Sequence, residues 1–238
     1  QLDGGYKAWR THVMARLQEL PPQFRFRVVS GPTGSAKTRI LQGIEALGEQ
    51  VLDLETLASH KGSVLGVLPG QPQPRQKGFE PMLLGKMQTF TPDRPIYVEA
   101  ESRKIGNLHV PDALIERIRN GECLNVDASL EARVDFLLKD YDYFLTLPEF
   151  LMSRLDALRS VQSRETLGRW QQLIHDQQWP PLVRELLEQH YDPLYRRSQN
   201  INYSGMATLQ NFTTDDLTPA GIARLASAIA QSRTAQIA

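Results

Sequence analysis

The stretch from Phe24 to Thr38 reads Phe-Arg-Phe-Arg-Val-Val-Ser-Gly-Pro-Thr-Gly-Ser-Ala-Lys-Thr. Its first part, Phe24 to Ser30, is rich in apolar and β-branched residues and predicts a buried strand. Gly31 to Thr38 nearly matches the pattern G-x-x-x-x-G-K-S/T, and Thr38 to Leu47 predicts a helix. A strand, a glycine-containing loop and a helix in this order predict a P-loop, which binds phosphate.

The chemistry of phosphate binding explains the residue types in this loop. Glycines let the backbone curl so that several N–H groups point at phosphate oxygens, and the following helix adds its N-terminal dipole. Lys37 is expected to reach the terminal phosphate, and Thr38 to offer its hydroxyl to Mg²⁺. The predicted phosphate-binding residues are Gly31, Thr33, Gly34, Ser35, Ala36, Lys37 and Thr38.

Ala36 departs from the pattern, because it stands where the second glycine is usual. Alanine tolerates only negative φ without strain, so we expect a negative φ at this position. The departure weakens the expectation of tight nucleotide binding, although it leaves the loop itself in place. The alternative, a chance turn rich in glycine, serine and threonine, explains neither the strand before the loop nor the helix after it.

Further strands and helices alternate along the chain on both sides of a long loop, and this alternation is typical of a parallel, doubly wound sheet. The predicted fold class is therefore α/β, a P-loop NTPase-like doubly wound parallel sheet with a helical C-terminal appendage. The other predicted strands are 51–54, 96–100, 123–126 and 208–212, and the predicted helices are 79–90, 111–120, 129–139, most of 148–192, and 218–232.

Four segments are expected from these elements. Residues 1–20 contain a helical stretch that ends at Pro21-Pro22, and they are interpreted as the end of another domain. Residues 21–145 form the P-loop core, 146–205 a helical lid or RNA-contacting region, and 206–238 a return to the core with a C-terminal helix.

Composition limits the classes of function. The 238 residues include 27 Lys+Arg and 27 Asp+Glu, so the formal net charge is zero and a nucleic-acid partner needs basic residues clustered on one face. The single Cys123 excludes an internal disulfide and favours a reducing, cytoplasmic location. No apolar run reaches the roughly 20 residues of a membrane span, and no signal peptide or membrane partner is expected.

Carboxylates follow two of the predicted strands. Asp53 and Glu55 close the second strand, where Asp53 either faces the ligand or its metal or caps a helix. Glu99, Glu101, Ser102 and Arg103 follow the third strand, and alternation places both glutamates on one side. They are candidates for holding Mg²⁺ or acting as a base, and a solvated carboxylate pair is the alternative.

Other polar residues are less specific. The loop from His60 to Gly78 supplies donors and cations without metal-ligand spacing, and His60 receives no proton-transfer role. Cys123, in an apolar strand, is interpreted as a core residue. Several arginines lie in the helical tail, and three roles stay open for them. They belong to a lid that closes over bound phosphates, to a surface that binds RNA phosphates, or to a solvated helix face. They are Arg154, Arg159, Arg164, Arg169, Arg184, Arg196 and Arg197.

Several blocks together resemble the bacterial tRNA 2-selenouridine synthase family, and they cover nearly the whole chain. Leu2 to Trp9 resembles the end of that family's rhodanese domain. The blocks around Asp53–Ser63 and Glu99–Gly106 are more specific than the P-loop, which many unrelated enzymes share. The remaining blocks are 31–38, 76–80 and 191–195.

The resemblance implies a rhodanese domain followed by a P-loop domain, acting on the wobble 2-thiouridine of certain tRNAs. A geranyl group from geranyl diphosphate is attached to the sulfur, and selenium from selenophosphate then replaces that sulfur. The family's reactive cysteine belongs to the rhodanese domain and is not matched by Cys123. The chain is therefore expected to be a fragment that does not complete selenation alone, with the rhodanese domain missing in cis.

The residue patterns and the resemblance together give four catalytic candidates: Lys37, Asp53, Glu101 and Arg103. Thr38 is the metal ligand of a possible Mg²⁺ site, and Arg103 adds a second cation on the diphosphate. The remaining pocket candidates are His60, Gly62, Ser63, Gln76, Phe79, Glu99 and Ser102.

Two other functions stay open on the sequence. One is an ATP- or GTP-dependent small-molecule kinase or NTPase with the same fold. The other is a tRNA-binding module without chemistry of its own, for which strongly salt-dependent RNA binding is expected.

Overall fold

The computed structural model describes residues 4–202 and 209–232, with the side chains of 198–202 excepted. Five strands form the central sheet: β1 (Phe26–Ser30), β2 (Gln50–Leu52), β3 (Ile96–Glu99), β6 (Glu122–Ala128) and β7 (Gln210–Thr214). A small antiparallel hairpin, β4 (Lys104–Ile105) with β5 (Leu108–His109), was not predicted. Its strands contain only two residues each, too few to show an alternating pattern.

The central sheet is parallel throughout, in the order β2-β3-β1-β6-β7. β1 therefore lies between β3 and β6, and the connections from β1 lead to both sides of the sheet. In such sheets, ligands usually bind in the crevice at the carboxyl end of the strand where the order reverses, which here is β1. This confirms the predicted α/β, P-loop-like fold class. The predicted strands differ from the observed ones by at most two residues at either end; Thr208, the expected start of the last strand, lies outside the described residues.

Helices cover both faces of the sheet because alternate residues of the strands are buried in opposite directions. Phe26 and Val28 of β1 pack with α1 (Gly5–Glu19), α4 (Gln76–Met87) and α5 (Asp112–Arg119). Val29 belongs to the core on the other face, which is built with α2 (Lys37–Ala46), α6 (Leu130–Asp140) and α12 (Pro219–Gln231). A parallel strand buried on both faces is expected to be mostly apolar, and the one charged residue of β1, the buried Arg27, is paired with Glu122 at 2.8 Å.

The N-terminal helix α1 belongs to the core of the P-loop domain. Val13 and Leu17 are fully buried there, and Leu20 joins the same apolar cluster as β1 and β3. Arg10 also forms a salt bridge with the buried Glu80 of α4. The helix therefore packs on the P-loop domain, and the interpretation of residues 1–20 as the end of another domain stays a prediction. Leu2 and Asp3 of the block compared with a rhodanese domain lie outside the described residues.

The helical appendage has its own core. It consists of α7 (Tyr143–Thr146), α8 (Pro148–Leu155), α9 (Arg164–His175), α10 (Trp179–Leu186) and α11 (Asp192–Asn202). Trp170 is fully buried among leucines of these helices and Leu65 of the long loop. A π-helical turn, Leu187–Tyr191, joins α10 to α11, and such turns often mark functional positions.

Within the described ranges, none of the helices combines the length and apolar character that crossing a bilayer requires.

Candidate phosphate-binding site

The main cavity, with a volume of about 650 Å³, lies at the carboxyl ends of β1 and β3. The P-loop forms one wall, and the loop after α3 (Leu54–Ala58) forms another. The helical appendage closes a third side with His190, Tyr191 and Leu194. The cavity therefore occupies the crevice that the strand order predicts.

The P-loop is held against α6. Gly34 has a φ of 84°, and a Cβ at this position would lie 2.9 Å from Leu137 of α6. Glycine is required here both for the backbone angle and for this close approach. The buried Ser35 donates a hydrogen bond to the carbonyl of Pro32 at 2.9 Å, so its side chain stabilises the loop and does not line the cavity.

Ala36 has a φ of 59° and ψ of 24°, in the left-handed region. The expectation of a negative φ is wrong. The loop must turn sharply into α2 at this residue, and the surrounding packing holds alanine in a conformation that costs about 1 kcal/mol relative to glycine. The loop thus carries local strain at Ala36.

Lys37 and Thr38 lie at the start of α2 and face the carboxyl end of β3. The Lys37 Nζ is 3.6 Å from Glu99 Oε1 and 3.4 Å from the Pro32 carbonyl. The Thr38 hydroxyl is 3.0 Å from Glu99 Oε2 and 3.0 Å from Glu55 Oε2. A hydroxyl has one proton to donate, so a second carboxylate can be satisfied only through a proton or a cation of its own.

Three carboxylates converge beneath the P-loop, on Glu55, Glu99 and Glu101, each offering an oxygen within 4.8 Å of the others. Burial, then the charges of Glu99 and Glu101, raise the pKa of Glu55 to about 10. Burial and the Glu99 charge raise the pKa of Glu101 to about 8. Burial also raises the pKa of Glu99, against the opposing effect of Lys37. Without a cation, the cluster therefore retains protons near neutral pH.

Gly62 allows this cluster to form. Its φ is 62°, and a Cβ there would lie 2.7 Å from Glu55 Oε1 and 2.8 Å from Glu101 Oε1. The loop backbone consequently covers the carboxylates at close range, and Gly62 and Ser63 both line the cavity.

Glu55 was not among the predicted site residues, whereas Asp53 was. Asp53 is the N-cap of α3: its carboxylate accepts from the Thr56 N–H at 2.8 Å and from the Thr56 hydroxyl at 2.7 Å. It is not one of the residues lining the cavity. Of the two predicted roles for Asp53, the helix cap is the one observed, and Glu55 in the first turn of α3 is the residue that joins the carboxylate cluster.

The raised pKa values predict a pH dependence of stability. An unfolded glutamate has a pKa of about 4.3, so between that pH and about 8 the folded state holds a proton on Glu101 that the unfolded state releases. Stability contributed by that proton is lost as pH rises through the folded pKa. Burial lowers the pKa values of His60 and His190, so both are neutral above pH ~7.

We therefore expect the free energy of unfolding without Mg²⁺ to fall from pH ~7 to pH ~8.5, and to fall less in Glu101→Gln. Urea denaturation at the two pH values measures this difference. Glu188→Gln, a change at an exposed carboxylate, should keep the wild-type decrease. An unchanged decrease in Glu101→Gln would contradict the assignment of the proton to this group.

The remaining predicted residues divide into two sets. His60, Glu99 and Ser102 line the cavity, and the buried Nδ1 of His60 has no hydrogen-bond partner among the described residues. Arg103, Gln76 and Phe79 do not line it. Arg103 is exposed and pairs with Asp112 at 2.8 Å, Gln76 donates to the His109 carbonyl at 2.8 Å, and Phe79 is fully buried in the core.

Residues distant in the chain from the P-loop supply contacts that no local pattern predicted. Buried Arg133 of α6 donates to the Thr33 carbonyl of the P-loop at 2.8 Å and pairs with Asp192 of α11 at 2.6 Å. Lys61 lies 3.9 Å from the ring centroid of Tyr141 and 2.6 Å from Asp140 Oδ2. The P-loop and the appendage are thus connected directly by charged groups.

Cys123 lines the cavity, although burial raises the pKa of its thiol and Ser30 Oγ lies 3.1 Å from its sulfur. Three arginines of the tail are engaged with carboxylates: Arg159 with Asp156, Arg169 with Glu185, and Arg184 with Glu131. These pairs reduce the cationic surface open to an RNA phosphate at those positions.

Residues 24–157 match the family model described as "tRNA 2-selenouridine synthase AAA domain". The chain is similar to proteins named tRNA 2-selenouridine synthase. That of Nitrosomonas europaea is 35% identical over 183 residues, covering 74% of this chain and 46% of the relative. That of Marinobacter nauticus is 31% identical over 226 residues, covering 81% and 59%. That of Alcanivorax borkumensis is 31% identical over 239 residues, covering 85% and 64%. The chain thus spans about half to two thirds of the length of these curated relatives.

Proposed function

The chain belongs to the tRNA 2-selenouridine synthase family, and from that membership we propose that it forms the phosphate-binding part of a tRNA-modifying transferase. The P-loop holds the diphosphate of geranyl diphosphate, and the geranyl group passes to the sulfur of a wobble 2-thiouridine. The later step, in which selenium from selenophosphate replaces that sulfur, belongs to the whole enzyme.

The observation that carries the proposal is the position of Lys37 and Thr38, side by side at the start of α2 above the carboxylates of Glu55, Glu99 and Glu101. Loop amides and the helix N-terminus bind phosphate oxygens and make no distinction between the groups attached to the phosphate. A diphosphate ester therefore suits this site as well as a nucleotide does.

In the proposed transfer, a lone pair of the thiouridine sulfur forms a bond to C1 of the geranyl group. The C1–O bond breaks, and its electron pair leaves on the diphosphate. The base loses its N3 proton to solvent, which keeps the product neutral. Lys37 and the loop amides stabilise the charge that develops on the departing diphosphate.

The residues beneath the loop suit a Mg²⁺ ion, because Thr38 and the three glutamates offer the hard oxygen ligands that this ion prefers. The single proton of the Thr38 hydroxyl, set between two carboxylates, supports the same assignment. Glu55, Glu99 and Thr38 would hold the ion directly or through water. Bound there, it would supply positive charge to the diphosphate and relieve its repulsion by the carboxylates.

A comparison of ligands in a thermal unfolding assay tests the proposal against the nucleotide alternative. With Mg²⁺ present, a ligand at about 100 times its Kd stabilises the folded state by about 2.7 kcal/mol, which raises the Tm of a domain this size by several degrees. Geranyl diphosphate is expected to give this rise, and ATP and GTP a smaller one at equal concentration. A larger rise with ATP or GTP would support an NTPase or kinase instead.

A further inference from the structure

A second cavity, an apolar recess of about 70 Å³, opens beside the P-loop. Its deeper wall consists of aliphatic and aromatic side chains from α6, α7, α8 and α10, all within the helical side of the molecule. Among the described residues that line it, those whose side chains carry a nitrogen or oxygen atom are Thr33, Ser63, Tyr141, Trp179 and Tyr191. The wall includes Leu138, Phe144, Leu151, Trp179, Leu182 and Leu186.

The recess adjoins the main cavity. Thr33, Ser63, Leu137, Tyr141 and Tyr191 line both spaces. Thr33 is part of the P-loop itself, so the mouth of the recess lies next to the place where phosphate binds. A ligand with its phosphates on the loop can therefore extend into the recess without leaving the protein.

Tyr191 presents its ring at this mouth. It belongs to the π-helical turn, and its hydroxyl is hydrogen-bonded to the Ser63 side chain and the Leu65 backbone. Because the hydroxyl is hydrogen-bonded within the protein, the aromatic ring is the part of the side chain that can contact a ligand. The mouth is thus apolar on the side that leads away from the loop.

We infer that this recess receives the hydrocarbon chain of a prenyl diphosphate. The inference rests on the proposed function of the P-loop. It identifies the part of the site that selects which prenyl diphosphate serves as the donor. A purine in the recess would leave its ring nitrogens without hydrogen-bond partners, which is costly, whereas a hydrocarbon chain has none to satisfy. The recess holds the end of the chain, and the main cavity holds the part nearer the diphosphate.

The inference predicts that affinity depends on chain length. Each methylene group removed from water contributes about a fourfold gain in affinity, so partial burial of one five-carbon unit is worth about 10- to 100-fold. In calorimetric titrations with Mg²⁺, wild-type protein should bind geranyl diphosphate at least about 10-fold more tightly than inorganic diphosphate, with dimethylallyl diphosphate between them.

Val183→Phe fills the recess from α10, where Val183 is a partly buried wall residue. It should lower the affinity for geranyl diphosphate about 10-fold or more and leave that for inorganic diphosphate within about twofold. Val161→Phe is the matched control, because Val161 is 61% exposed and lies outside the recess; it should change neither affinity. Retained binding of inorganic diphosphate shows that Val183→Phe is folded.

The outcomes separate the inference from the proposed function. Equal wild-type affinities for inorganic and geranyl diphosphate would overturn the inference whether or not the variant folds, as would full geranyl diphosphate affinity in Val183→Phe. If neither diphosphate bound, the proposed function of the P-loop would fail and the inference with it.

Discussion

Replacing Lys37 by alanine is expected to weaken the binding of geranyl diphosphate about 10- to 100-fold, which is the loss of one charge-assisted hydrogen bond. In the structure, Lys37 is the ammonium group nearest Glu99 Oε1, at 3.6 Å, and its side chain is only 15% exposed. Without it, the diphosphate would lose the cationic side chain that is paired with Glu99 of the glutamate cluster. Isothermal titration calorimetry in the presence of Mg²⁺ measures the change.

Lys86→Ala is the control for this experiment. Lys86 is also paired with a glutamate, Glu45, at 2.9 Å, but it does not line the cavity. Its replacement should leave the affinity unchanged. Equal affinity of wild type and Lys37→Ala would contradict the proposal that the P-loop holds the diphosphate.

Replacing Arg133 by alanine is expected to destabilise the fold by about 3–5 kcal/mol, the usual cost of removing one partner from a buried ion pair. The side chains of Arg133 and Asp192 are 6% and 16% exposed, and their atoms approach to 2.6 Å. The same guanidinium donates to the Thr33 carbonyl. Its loss would leave a mostly buried carboxylate and a P-loop carbonyl without their donor, and chemical denaturation measures the effect.

Arg184→Ala is matched to this variant, because Arg184 pairs with Glu131 and likewise connects the appendage to α6. That pair is 42% and 71% exposed, so its loss should cost less than about 1 kcal/mol. Similar costs for the two variants would show that burial does not set the strength of the Arg133 pair. A further expectation is that Arg133→Ala weakens diphosphate binding, since the loop loses a support.

Part of the candidate site was accessible from the chain itself because its signals are local. Gly31 to Thr38 occupy consecutive positions between a strand and a helix, and Glu99 at the end of β3 and Glu101 just after it lie close together because they are two residues apart in the chain. Local signals left two roles open for Asp53, which lies at the boundary between β2 and α3. β2 ends at Leu52, two residues earlier than expected, so Asp53 caps α3 and Glu55 joins the carboxylates.

The sequence by itself therefore determined the α/β class, the P-loop and the helical appendage, since each follows from the periodicity or spacing of neighbouring residues. Only the tertiary structure decided the positive φ of Ala36, the link from Arg133 to Thr33, and the apolar recess between Thr33 and Trp179. The last two of these features bring together residues about 100 or more positions apart. The packing of the whole domain determines such contacts, and local sequence propensities do not predict them.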